Sequence, residues 1–199
     1  MGNQAVFWLF GYGSLASRAS VERTLGRPVQ QSTGFARATL AGHRRAWNAS
    51  IQNLHRDPTD KHFIDTSRRR FEGTVSSLGI YAAPGEMNGV IFRVEKADLT
   101  KFDARERRYN RIEVTESIAS DLPFDGRVMT YLPRADAVRL GDESRREGKD
   151  YRSASYERLV EAAFTALGPR ELAIYRATTD DSTAPAIELT VVRPSSAFG

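Results

Sequence analysis

The chain opens with an apolar run, Val6–Phe10, that passes directly into Gly11-Tyr12-Gly13-Ser14-Leu15 and then into polar sequence. A continuous apolar run bounded by glycine predicts a buried strand over 6–10. A short helix is predicted over 17–25, stopped by Gly26-Arg27-Pro28. Residues 34–49 alternate weakly and predict a strand bent at Gly42, followed by a polar loop over 52–70. Two apolar segments, 75–82 and 87–94, flank Pro84-Gly85 and predict a hairpin. A helix is expected over 97–108, then strands over 111–117 and 127–132, then a charged loop over 134–152. Tyr156, Leu159, Val160, Ala163, Phe164 and Leu167 keep the three-and-four spacing of an amphipathic helix over 153–167, ended by Gly168-Pro169. Residues 171–178 suggest a further helical turn or two, and 187–192 a last strand. Strands dominate and helices are inserted singly, without a run of βαβ units. The expected class is therefore α+β: a small mixed β-barrel or strongly twisted sheet with helices packed outside.

Composition narrows this picture. A length of 199 residues suggests a single domain over 1–199, and 40% hydrophobic residues suffice for a sizeable core. There is no cysteine, which removes disulfides, thiolate zinc sites and cysteine nucleophiles and fits a reducing, cytoplasmic setting. The apolar run at the N-terminus is too short for a membrane span or signal peptide. Met1-Gly2 begins like a myristoylation signal, but Val6 stands where Ser or Thr is required. The expectation is a soluble chain with no membrane partner. The net charge of +4 raises nucleic acid as a partner, yet 25 acidic residues are interspersed with 29 basic ones. Arg44-Arg45, Arg68-Arg69-Arg70, Arg107-Arg108 and Arg145-Arg146 are scattered, so a solvated arginine-rich surface is expected and no nucleic acid.

The glycine turn matches several signatures in part only. Gly11-x-Gly13-x-x-Ala16 has the form of a dinucleotide fingerprint, but residues 29–39 lack the acid that would hold a ribose. A phosphate-binding loop needs Gly-Lys-Ser/Thr, and a nucleophile elbow needs a glycine two residues after Ser14; neither is present. His55 and His62, among Asp57, Asp60 and Asp65, match no tight ligand spacing. No metal and no organic cofactor is expected.

The informative helix is ADLTKFDARERRY, residues 97–109. Leu99 and Phe102 define its apolar face. At about 100° per residue Glu106 projects within about 20° of Leu99 and about 40° of Phe102. Arg105 and Arg108 are expected to point away, and Arg107 to pair with Asp103 at i, i+4. One carboxylate thus shares the inward stripe. It is either an edge residue held by a salt bridge or a group entering a pocket, where desolvation would make it a proton carrier near neutrality.

Together the two features resemble the γ-glutamylcyclotransferase-like family. The resemblance rests on Phe10-Gly11-Tyr12-Gly13-Ser14-Leu15, Gly42-His43-Arg44-Arg45-Ala46-Trp47 and Gly89-Val90-Ile91-Phe92-Arg93-Val94. It continues through Phe102-Asp103-Ala104-Arg105-Glu106, Tyr109-Asn110-Arg111 and Ser153-Ala154-Ser155-Tyr156, spanning about residues 6–168. Arg107 departs from it, since several members have glycine after the glutamate. The resemblance implies intramolecular aminolysis of a γ-glutamyl amide, releasing 5-oxoproline and an amine or amino acid. It implies Glu106 as general acid/base and a small γ-glutamyl compound as the partner. Tyr12, Gly13, Ser14 and Leu15 would form a carboxylate cradle at a helix entrance, with Tyr109 and Tyr156 orienting the substrate. Two other readings stand beside it: a non-catalytic γ-glutamyl- or amino-acid-binding module of the same fold, and a basic nucleic-acid-contacting protein. The leaving group and the oligomeric state are left open.

Overall fold

In the computed structural model the described residues are 6–30, 34–53, 62–69 and 71–192. Among these residues ten strands and five α-helices make one mixed sheet with helices packed against it, plus a small two-stranded ribbon. The frame is two long strands, β2 (Phe35–Gln52) and β4 (Thr74–Val94), which pair antiparallel from Phe35↔Phe92 to Gln52↔Thr74. β1 (Phe7–Gly11) pairs antiparallel with the second half of β4 and parallel with β7 (Arg127–Pro133). β5 (Tyr109–Glu113) edges β7, and β6 (Ile118–Ser120) edges β2. The path β5-β7-β1-β4-β2-β6 has two ends, so the sheet is open. Of the two expected forms it is the twisted sheet and not the barrel, because β5 and β6 do not pair with each other. β8 (Asp150–Ser153) joins the start of β4 in parallel and carries β9 (Ala186–Ile187). β3 (His62–Ile64) and β10 (Thr190–Val192) form the separate ribbon.

Several expected elements are redrawn. The hairpin over 75–94 is one continuous strand. Pro84-Gly85 does not reverse the chain. Instead Ala82 pairs with His43 and Glu86 with Ala41, so residues 83–85 bulge opposite Gly42. Proline is tolerated at such a bulge because no ladder donor is needed there. The strand bent at Gly42 is β2, running on to Gln52. The polar loop over 52–70 contains β3; within it Asp65 Oδ1 accepts from the N–H groups of Ser67 and Arg69 and closes a turn. His55, Asp57 and Asp60 lie outside the described residues. Residues 111–117 hold only the end of β5, followed by a 3-10 turn (Thr115–Ser117). The last strand over 187–192 is divided between β9 and β10.

Helix α1 (Arg18–Leu25) is capped by Ser17, whose side chain accepts from the Ser20 N–H, and ends on Gly26 at φ 75°. α2 (Lys96–Arg105) opens with a capping box between Glu95 and Asp98. The charged loop expected over 134–152 is instead α3 (Ala135–Arg146) followed by β8. Its buried stripe is Ala137, Gly141 and Ser144, a helical spacing of small residues without an apolar signal. α4 (Ala154–Leu167) buries Val160, Ala163 and Phe164, as its spacing predicts, and Pro169 starts α5 (Pro169–Ala177). The core joins Leu9, Phe10, Val21, Leu78, Ile91, Phe92, Phe102, Val128, Val160 and Phe164. It closes the ends of β1, α2 and α4 around one point.

Candidate functional site

That point is the C-terminal end of β1. A small open cleft is lined there by Tyr12, Gly13, Ser14, Leu15, Glu106, Tyr109 and Tyr156, all seven residues singled out from the sequence. Phe10, Leu78 and Tyr131 complete its wall. The seven come from the turn after β1, the end of α2, the start of β5 and the first turn of α4. Of those elements only the end of α2 and the start of β5 are neighbours in the chain.

The two glycines have separate steric reasons. The chain folds back over Gly11 so tightly that a Cβ there would sit 2.5 Å from the Leu15 carbonyl oxygen. At Gly13 a Cβ would sit 2.8 Å from the Tyr156 hydroxyl. The turn itself is a single 3-10 turn, Ser14–Ala16, closed by the N–H groups of Ala16 and Ser17. The i to i+3 pattern leaves the N–H groups of Ser14 and Leu15 ahead of it. The expected helix entrance is displaced: α1 begins only at Arg18, and Ser17 caps it, so the α1 dipole does not begin at the cradle.

Glu106 is the C-cap of α2, its N–H bonded to the Phe102 carbonyl. The helix therefore ends three residues before the expected 108. Leu99 and Phe102 are buried as predicted, and the Glu106 side chain is 16% exposed. An acidic residue at a helix C-terminus runs against the macrodipole, so its placement has a local cost that helix formation does not explain. Arg105 does not point away as expected. Its Nε lies 2.9 Å from Glu106 Oε1. Its Nη1 donates to the Ser20 carbonyl and Thr24 Oγ1, and its Nη2 to Ser14 Oγ and Ser20 Oγ. One guanidinium thus ties the carboxylate, the turn hydroxyl and α1 together. A rotation of 100° per residue holds only inside the helix, and Arg105 closes it. Asp103 receives Arg111 and the Tyr131 hydroxyl.

Four tyrosines surround the carboxylate. The Tyr12 hydroxyl donates to the Tyr131 carbonyl and the Tyr109 hydroxyl to the Leu78 carbonyl at 2.8 Å. Burial first, and then the negative charge of Glu106, push Tyr12 and Tyr156 upward. Tyr109 rises through burial, through Tyr12 and Tyr156, and through Glu106. Tyr131 rises through burial and its hydrogen bond to Asp103. All four are neutral donors at physiological pH. On these contacts Tyr12 and Tyr109 spend their protons on backbone carbonyls and fix the walls.

Behind the turn lies a residue that sequence reasoning did not single out. Arg45 on β2 is fully buried and its Nε donates to the Tyr12 carbonyl. Nη1 reaches Thr178 Oγ1 at 2.8 Å, and Nη2 reaches the Asn88 carbonyl and Oδ1. Its guanidinium carbon sits 5.0 Å from the Phe164 ring centroid and 5.1 Å from that of Tyr175. Burial pulls it down to about 9. Its only sequence signal was membership of a strand motif. Tyr131 and Arg105 gave no signal, because the contacts that tie them to the turn after β1 reach 119 and 91 residues along the chain.

No family model and no curated protein matches the chain. Solved structures do. A γ-glutamyl cyclotransferase aligns at TM-score 0.53 with 19% identity, over 92% of this chain and 94% of that one. A γ-glutamyl cyclotransferase from yeast, described as specific to glutathione, aligns at TM-score 0.51 with 15% identity, over 90% and 99%. An uncharacterized protein from Homo sapiens aligns at 0.52 with 17% identity, over 92% and 95%. These alignments show that the chain has the γ-glutamylcyclotransferase-like fold.

Proposed function

We propose that the protein is a γ-glutamylcyclotransferase with Glu106 as its general acid/base. The reading rests on one observation above the rest: a carboxylate, placed against its helix dipole, lines the same small cleft as a glycine turn and four neutral tyrosines. The substrate's α-amine is largely protonated at neutral pH. Glu106 removes that proton, and the amine nitrogen attacks the γ-carbonyl carbon of the same glutamyl unit. The new C–N bond closes a five-membered ring. The ring nitrogen sheds its second proton, and Glu106 relays protons to the departing nitrogen as its C–N bond breaks, leaving 5-oxoproline and an amine or amino acid that carries the second proton away as an ammonium group. Nucleophile and electrophile are tethered, so positioning supplies much of the rate. The Leu15 N–H and the Ser14 hydroxyl are the proposed donors to the α-carboxylate, and the Tyr156 hydroxyl, held by the Ser14 N–H, orients the glutamyl chain.

Glu106→Gln tests it. Lactam release from a panel of γ-glutamyl amides falls by about 10²–10⁴-fold, while the thermal midpoint stays within a few degrees. Wild type that turns over nothing in the panel, yet is stabilised by a γ-glutamyl ligand, identifies a binding module instead. Tight, salt-sensitive and selective binding to DNA or RNA points to the third reading.

A further inference from the structure

Among the described residues lining the cleft none is a lysine, arginine or histidine, and one, Glu106, is an acid. A carboxylate ligand entering it therefore meets a like charge in the same small space. The turn that would receive the ligand has no α-helix directly behind it, since α1 begins at Arg18 and is capped by Ser17. A single 3-10 turn, Ser14–Ala16, supplies the donors.

A cation lies immediately behind this wall. The Arg105 side chain is 24% exposed, and its Nε faces Glu106 Oε1 at 2.9 Å. Nη1 donates to the Ser20 carbonyl at 3.0 Å and to Thr24 Oγ1 at 2.7 Å. Nη2 donates to Ser14 Oγ at 2.8 Å and to Ser20 Oγ at 3.0 Å. Those five contacts match the five N–H groups of a guanidinium, so Arg105 keeps no donor for a ligand and acts through its partners. A hydroxyl has one proton and two lone pairs. Because Ser14 Oγ accepts from the cation, its own proton turns away from Arg105, toward the cleft that Ser14 lines. A hydroxyl polarised by a charged donor is in turn a stronger donor. The same guanidinium offsets the charge of Glu106 through Oε1.

Resting on the cyclotransferase reading above, we propose that Arg105 is a positioning residue for the substrate's α-carboxylate. Its guanidinium supplies the cation that the cleft lining lacks and presents the Ser14 hydroxyl proton to the ligand. Arg105 closes α2 and Glu106 caps it, so adjacent residues at one helix end set the anion site and the base. A carboxylate is then preferred over the matching amide because of a cation that it never touches.

The probes are 5-oxoproline and 5-oxoprolinamide for calorimetric titration. For turnover they are γ-glutamyl-alanine and the analogue amidated at the glutamyl α-carboxylate. Wild type binds the acid about tenfold more tightly than the amide and shows a similar ratio in kcat/KM. In Arg105→Gln both ratios fall to about one. In Arg105→Lys, which keeps a cation without the fork, they recover in part. Ser14→Ala loses the preference as well, and the Arg105→Gln/Ser14→Ala pair loses no more than either change alone. Arg23→Ala, an exposed arginine on α1, keeps both ratios and controls for net charge. Equal binding of acid and amide by wild type overturns the proposal. So does a preference that survives Arg105→Gln, or a loss in that variant that weakens acid and amide equally, as a purely structural role would. Should Arg105→Gln not fold, Ser14→Ala decides, and an undiminished preference there overturns the proposal too. The two readings fail separately. Lactam release without an acid preference removes the Arg105 assignment alone. An acid preference that depends on Arg105, with no lactam from any γ-glutamyl compound, removes the cyclotransferase reading and leaves Arg105 serving the anion site of a binding module.

Discussion

The contact between Gly13 and Tyr156 shows how one missing side chain shapes the site. The glycine leaves room for a hydroxyl that arrives from a helix more than a hundred positions later in the chain. Gly13→Ala would drive a methyl group to 2.8 Å from that oxygen, so either the turn or the ring must move. The expected cost is about 1–3 kcal/mol in urea unfolding, the range for overpacking. Removing the hydroxyl should relieve it. In a Tyr156→Phe background the same Gly13→Ala change should cost about 1 kcal/mol less, a coupling that a double-mutant cycle reads directly. Additive penalties would place the strain elsewhere. Both residues were legible as candidates, but the reason for the glycine was not, since no pattern along the chain pairs position 13 with position 156.

At the scale of elements, α2 delivers the carboxylate from one end because it is anchored at the other. Asp98 caps the first turn through the Glu95 N–H, and it pairs with Arg27 Nη2 at 2.6 Å and with Lys101 at 3.1 Å. Its side chain is nearly buried. The hydrogen bonds from Arg27 outweigh that burial and hold the carboxyl down at about 2. The folded-state value lies below the unfolded one, so the stabilisation is present above about pH 4 and is lost as pH falls toward 2. It amounts to about 2 kcal/mol. Asp98→Asn should therefore lose about that much at neutral pH and show a flatter stability profile between about pH 4 and pH 2, measured by denaturant melts. An unchanged profile would remove Asp98 from the account. The helix itself was readable from Leu99 and Phe102. Its end was not, because 3.6-residue periodicity contains no term for where the chain leaves the helix. That end decided that Arg105 turns inward.

For the whole molecule, the buried guanidinium of Arg45 joins the site to the rest of the fold. It connects the turn after β1, β4 through Asn88, and the end of α5 through Thr178, between two aromatic faces from α4 and α5. Arg45→Met removes every one of these donors and leaves buried carbonyls without partners. The expected loss is about 3 kcal/mol or more, seen as a lower urea midpoint with an unchanged slope. A loss under about 1 kcal/mol would mean that water or a shifted side chain replaces it. No helix among the described residues is long and apolar enough to cross a membrane.

What was readable along the chain was local. The buried strand before the glycine turn, the apolar stripe of α2 with an acid beside it, and the spacing of α4 each depend on neighbours within a few residues. The seven candidate residues could be named on that basis, with a family resemblance to connect them. Tertiary structure decided the rest: that 75–94 is one strand bulging at Pro84-Gly85, that a helix with a stripe of small residues replaces a charged loop, and that the sheet stays open. It also decided that Arg105, Arg45 and Tyr131 belong around the site. Those outcomes depend on partners far away in the chain, and a one-dimensional pattern of polar and apolar positions carries no record of which distant surfaces meet.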